Sequence, residues 1–310
     1  MKKIQIKQRP LLTRPEDFQG MLPFIAQILA RRGVTSPQEL DLKLKHLLKP
    51  ELKGLQTAIE LMDRAIDHEQ QIVIVGDYDA DGATSTALML LALRDMGAKV
   101  DYVVPDRFKY GYGLTPKIAD LVQEKYQPKL MITVDNGISS HAGVDQAHAH
   151  GMQVIITDHH LTTKETPPAE AVVNPNQLGC YFASKALAGV GVAFYVLANL
   201  SSLRAKQGKS SAKVVNYLDL VALGTYADVA SLDYNNRILI DAGLKRIQQG
   251  LCRAGISALL DIAGRDPAEL KAQDLGFVLG PRINAAGRME TMDIGIECLI
   301  APDLQRSEEH

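Results

Sequence analysis

The sequence predicts an α/β fold: a parallel β-sheet flanked by helices, with a helical N-terminal preface and a helical C-terminal segment. Two observations predict it. Residues 72–75, 100–104, 130–134, 154–157 and 171–173 form short, unbroken, β-rich apolar runs. Helix-spaced apolar patterns fill the gaps between the first four, at 83–96, 115–125 and 141–150. Strands that are apolar on both faces and alternate with helices belong to a parallel sheet covered on both sides.

The elements follow in order. Residues 20–32 and 36–48 carry helical spacing, and Pro50 stops the second; 57–68 reads as the next helix. Thr115-Pro116 is an N-cap followed by proline at the first helical position. Beyond Ser184 the chain reads as helical at 185–205, 212–223, 235–249 and 256–262, and less distinctly at 268–279. The organisation expected is a helical segment over 1–53, a catalytic α/β domain over 54–225, and a connector over 226–310. The stretch 289–310 holds six acidic residues against one arginine and ends without a stop signal, so the chain is expected to be a fragment.

The 310 residues suffice for two domains. With 46% hydrophobic and 23% charged residues, the composition is that of an ordinary soluble protein. No apolar stretch reaches membrane-spanning length, and the basic start lacks the apolar core of a signal peptide. Cys180, Cys252 and Cys298 are odd in number and far apart, which excludes a disulfide frame or a thiolate zinc site and points to a reducing cytoplasm. A net charge of −2 does not advertise nucleic acid, although bound cations would change the sign of an acidic site.

The chemistry concentrates in Asp77-Tyr78-Asp79-Ala80-Asp81-Gly82, at the exit of the first strand. Three carboxylates at alternate positions repel one another, and a hard divalent cation among them is the simplest remedy. Two rivals exist. A solvated acidic turn needs no ion. An EF-hand fits Asp77, Asp79, Asp81 and Gly82, but its twelfth position, a bidentate glutamate, is Leu88 here. Ligand sites of open α/β sheets gather at the carboxyl ends of strands. The exit of the third strand carries Asp135-Asn136-Gly137, and that of the fourth carries Asp158-His159-His160. Carboxylates with imidazole and no thiolate suit Mn²⁺ or Mg²⁺. There are enough of them for two ions about 3.5–4 Å apart, a pair that can activate water and hold a phosphoryl oxygen. Gly189-Val190-Gly191 tempts a dinucleotide reading, but Phe194 stands where the third glycine belongs, and close helix packing accounts for it better.

Several motifs now form an ordered set. The stretches 76–86, 134–140 and 222–229, with Asp158-His159-His160 between the last two, resemble the motifs of the DHH phosphoesterase family. The stretches 107–113 and 280–288 are similar to those of its single-strand-specific DNA exonucleases. The resemblance implies that Asp79, Asp81, Asp135, His159 and Asp228 are metal ligands, with Asp135 as the bridge. Asp77 is a further candidate ligand, or else orders the loop. Asp158 is expected to orient a ligand histidine, and His160 to face the phosphate. On the residues alone, Asp228 reads as a turn acid after a helix. Arg107, Arg282 and Arg288, in glycine-rich settings, are implied to contact DNA phosphates, with help from Asn284. His141, His148 and His150 read as surface residues. The implied activity is two-metal hydrolysis of single-stranded DNA from the 5′ end, with a helicase and a single-stranded-DNA-binding protein as candidate partners. Two alternatives remain open: a small-substrate relative (nanoRNase, pyrophosphatase or cyclic-dinucleotide phosphodiesterase), or a module that only binds metal and DNA.

Overall fold

A parallel sheet organises the chain in the computed structural model, which describes residues 7–162, 165–289, 292–303 and 306–307. Before it come α1 (Pro23–Arg31) and α2 (Leu55–Asp67). Then follow β1 (Gln71–Gly76), α3 (Ala80–Asp95), β2 (Lys99–Val103), the single turn α4 (Arg107–Tyr110), α5 (Pro116–Tyr126), β3 (Leu130–Val134), α6 (His141–Ala149), β4 (Gln153–Thr157) and β5 (Ala171–Val173). The rest is helical: α7 (Gly189–Lys206), α8 (Leu218–Ala227), α9 (Tyr234–Gln248), α10 (Ala254–Ile262), the short α11 (Ala272–Asp274), α12 (Gly280–Met289) and α13 (Asp293–Ile300).

Among the described residues the sheet has five strands, all parallel, in the order β2-β1-β3-β4-β5. Alternate strand residues point to opposite faces. Ile72 and Ile74 join the core with α2, α3 and α7, while Val73 and Val75 join the core with α5 and α6. The chain reverses direction across the sheet between β1 and β3, which opens the crevice where such folds bind ligands. Register then aligns the exits, because Gly76 pairs with Val134, Val134 with Thr157, and Thr157 with Val173. The next residues, Asp77, Asp135, Asp158 and Asn174, therefore leave the sheet at one level.

Two expectations need correction. Residues 36–48 form two 3-10 turns, Pro37–Leu40 and Leu44–His46, not one helix. Their peptide groups are taken elsewhere: the Tyr234 hydroxyl donates to Gln38 O and Asp41 O, and Leu48 N–H donates to Asn235 Oδ1. The Thr115 hydroxyl does not cap α5; it donates to Tyr110 O at 3.0 Å.

Candidate metal centre

The acidic turn is built by the start of α3. Asp79 is its N-cap, with Oδ1 accepting from Gly82 N–H at 2.9 Å, so the helix begins three residues before the expected start. That places Asp81 in the first turn, 1% exposed, aimed at the opening of α7. Its carboxylate accepts from Gly189 N–H at 2.6 Å and Val190 N–H at 2.9 Å. A carboxylate at a helix N-terminus satisfies orphan donors and meets the positive end of the dipole. Gly189 has a second reason to be glycine: a Cβ there would stand 2.6 Å from Asp135 Oδ1. Packing is thus only part of its role. The use of its amide on Asp81 was not expected, because the two residues lie 108 positions apart in sequence.

Asp135 is the centre of the cluster. It is 1% exposed and sits in the left-handed region at φ 62°, rare for a residue other than glycine. Asn136 fixes this turn by donating to Val75 O at 3.1 Å and Val134 O at 2.9 Å, which ties the β1 and β3 exits together. Asp135 Oδ1 accepts no hydrogen bond, although His159 Nε2 lies 3.1 Å away outside hydrogen-bond geometry. A buried carboxylate oxygen without a donor is costly unless a cation meets it. His159 also lies 3.9 Å from Asp81 and 4.0 Å from Asp228.

Among the described residues, ligand atoms within 4.8 Å of one another form two disjoint trios: Asp77, Asp79 and Asp135; and Asp81, His159 and Asp228. Together they hold all six residues expected to bind metal. A third trio, Asp135, His159 and His160, links them. The donor set is hard oxygen plus imidazole, and the orphaned Asp135 oxygen faces it, so the residues fit divalent cations.

The electrostatics agree. Burial pushes the Asp81 and Asp135 carboxyls well up, with Asp228 and Asp79 adding to the first and Asp81, Asp79 and Asp77 to the second. Burial and the Asp79 charge raise Asp77 to about 7 and Asp228 to about 6. Burial, then the neighbouring His160, lowers His159, which favours the neutral imidazole a metal needs.

Asp158 corrects an expectation. It does not stand behind His159; its Oδ1 bonds to His160 Nδ1 at 2.7 Å and accepts both histidine N–H groups, while Oδ2 accepts from Ile138 N–H at 2.8 Å. Burial alone would raise Asp158, but its bond to His160 wins and lowers it, while Asp158 lifts His160 to about 9. Asn174 and Asn176, missed in the sequence, fix the motif by donating to His160 O at 3.0 Å and His159 O at 2.6 Å. Tyr112, also missed, brings its hydroxyl 3.4 Å from His160 Nε2.

The remaining expected residues are less gathered. Arg282 is exposed on α12, and its guanidinium donates to Val278 O at 2.6 Å. The side chains of Arg107 and Arg288 lie outside the described residues. Asn284, expected beside the substrate, has Oδ1 on the Ala80 N–H at 2.7 Å. His141 and His148 lie on α6 and His150 just beyond its end; His148 and His150 pair with Glu170 and Asp120, and His141 is exposed.

Fold and site together define a doubly wound α/β protein with a cluster of carboxylates and imidazoles at its switch point that fits divalent cations. The model of the DHH family, N-terminal domain, matches residues 71–225, and the chain belongs to that family. It is 51% identical over 309 residues to the single-stranded-DNA-specific exonuclease RecJ of Dickeya dadantii, covering 97% of this chain and 53% of the relative. Against the RecJ of Escherichia coli it is 47% identical with the same coverage. The chain spans about half the length of these curated relatives. Among solved structures, RecJ from Thermus thermophilus in complex with Mn²⁺ matches with a TM-score of 0.78 and 34% identity, over 93% of this chain and 40% of that one. An exonuclease RecJ bound to manganese matches with a TM-score of 0.74 and 36% identity, over 83% of this chain and 63% of that one.

Proposed function

We propose that this chain carries the site of a metal-dependent phosphodiesterase acting on single-stranded DNA from its 5′ end. The observation that carries this reading is the pair of disjoint ligand trios at aligned strand exits. The names of the relatives and the ions in their solved structures support it.

Asp77, Asp79 and Asp135 would hold one Mn²⁺ or Mg²⁺, and Asp81, His159 and Asp228 a second, with Asp135 bridging. When bound, such ions supply an activated water and positive charge opposite the developing phosphoryl charge. The Gly189 and Val190 amides orient Asp81. His160, half-exposed and raised to about 9, keeps a proton at neutral pH and presents it to a phosphate oxygen. Asp158 holds that ring by Nδ1. Arg107, Arg282 and Arg288 are proposed to hold the strand by its phosphates.

The unit 54–225 is proposed as the catalytic body behind the preface 1–53, completed by Asp228 and α12 from 226–310. A helicase that supplies single strands and a protein that coats them are the proposed partners. The cytoplasm is the proposed location, supported by three free cysteines. Among the described residues no helix is long and apolar enough to cross a membrane.

The test is a time course with Mn²⁺ on one strand labelled separately at each terminus, with Asp135→Ala as control. Mononucleotides released first from the 5′ label, and no release by a folded Asp135→Ala, are expected. Cleavage of dinucleotides alone would move the reading to a small-substrate relative, and undiminished turnover by Asp135→Ala would refute the bridging role.

A further inference from the structure

The acidic turn is gripped from a helix that contributes none of the six candidate ligands. Asn284 and Gly287 are three residues apart on α12 and so share a face. That face lies on the turn. Asn284 Oδ1 accepts from Ala80 N–H at 2.7 Å across 204 residues of sequence. A Cβ at Gly287 would stand 2.6 Å from Tyr78 O, so helix and turn are in close contact there as well.

The bonded amide is a particular one. Ala80 is the first residue of α3 and is 1% exposed. The first N–H groups of a helix have no partner within it. Asp79 caps Gly82, not Ala80, so the Ala80 donor is satisfied from α12. Ala80 also separates Asp79 from Asp81, which belong to different ligand trios. Fixing the peptide unit between them fixes how the two carboxylates diverge.

We propose that Asn284 is a positioning residue for the cation centre, acting through the Ala80 amide to set Asp79 against Asp81 and not through contact with the DNA strand. This rests on the metal reading of the same cleft. Partners that orient metal ligands typically govern affinity by about 10- to 100-fold.

The experiment is a calorimetric Mn²⁺ titration of the wild-type chain, Asn284→Ala, Asn284→Asp and Gly287→Ala, each checked by circular dichroism. Binding of a labelled single strand is measured in parallel in EDTA. Asn284→Ala is expected to weaken Mn²⁺ binding about tenfold or more, with strand binding in EDTA unchanged. Asn284→Asp, which keeps an acceptor oxygen, should recover most of the affinity. Gly287→Ala, which pushes on Tyr78 with Asn284 intact, should also lose affinity, and it reads the same contact if Asn284→Ala does not fold. Wild-type Mn²⁺ affinity in Asn284→Ala, or lost strand binding with metal affinity intact, would overturn the proposal. A wild-type chain that bound no Mn²⁺ would overturn the metal reading itself, and the proposal with it.

Discussion

Gly189→Ala adds one methyl group and tests how tightly the centre is built. The new Cβ would stand 2.6 Å from Asp135 Cβ and Oδ1 and 2.7 Å from Cγ. Ordinary carbon contact begins near 3.5 Å, so Asp135 would have to retreat by about 1 Å. It has little freedom to do so. Its N–H donates to Thr157 O at 3.0 Å, its backbone is left-handed, and Asn136 is bonded to two strand ends. Overpacking of this kind costs about 1–3 kcal/mol. Alanine gains at most about 1 kcal/mol over glycine in a helix interior, and less at a first position, so destabilisation wins. Cation binding should suffer as well, because a displaced Asp135 no longer presents its oxygens where the other candidate ligands converge. Urea denaturation without metal should show a loss of about 1–2 kcal/mol, and Mn²⁺ titration a fall in affinity of about 10- to 100-fold. A variant with wild-type Mn²⁺ affinity and unchanged or improved stability would refute the reasoning.

Two further predictions follow. In metal-free protein, Asp77 and Asp228 are raised from 3.8 to about 7 and about 6. The folded state then binds protons that the unfolded chain has lost, so stability falls as pH rises from about 4 to 7. Cations replace those protons, so Mn²⁺ should raise the melting temperature far more at pH 8 than at pH 5; equal shifts in thermal scans against EDTA would contradict this. Separately, Arg204 is 4% exposed and bonds Asp63 at 2.5 Å and Asp67 at 3.0 Å, joining α7 to α2. Lys209 Nζ also meets Asp63 at 3.0 Å and Asp67 at 2.5 Å, so Arg204→Ala leaves both acids one cationic partner and should cost about 1–3 kcal/mol in urea denaturation; a loss below about 1 kcal/mol would show the network to be solvated like a surface pair.

The strands were legible because Ile72–Val75 and their counterparts are buried on both faces, which leaves an unbroken apolar run in the sequence. The acids at their exits were legible for the same reason: Asp77, Asp135 and Asp158 each lie within two residues of the last apolar strand residue. Residues 36–48 misled because helical spacing says nothing about where peptide groups bond, and here Tyr234 and Asn235 claim them from α9. The partner of Asp158 could not be read, since Asp158-His159-His160 offers two rings and only the turn geometry selects His160. The amides of Gly189 and Val190, and Asn174, Asn176 and Asn284, had no local signal. Each acts on a residue distant in sequence or through the backbone.

The central claim is that six separated side chains fold into one cradle for paired cations. Anomalous diffraction at the manganese edge, from crystals of this chain soaked in Mn²⁺, tests it most directly. Two peaks about 3.5–4 Å apart, with Asp135 between them, are predicted. A cleft without a peak, or manganese bound only elsewhere on the surface, would contradict it.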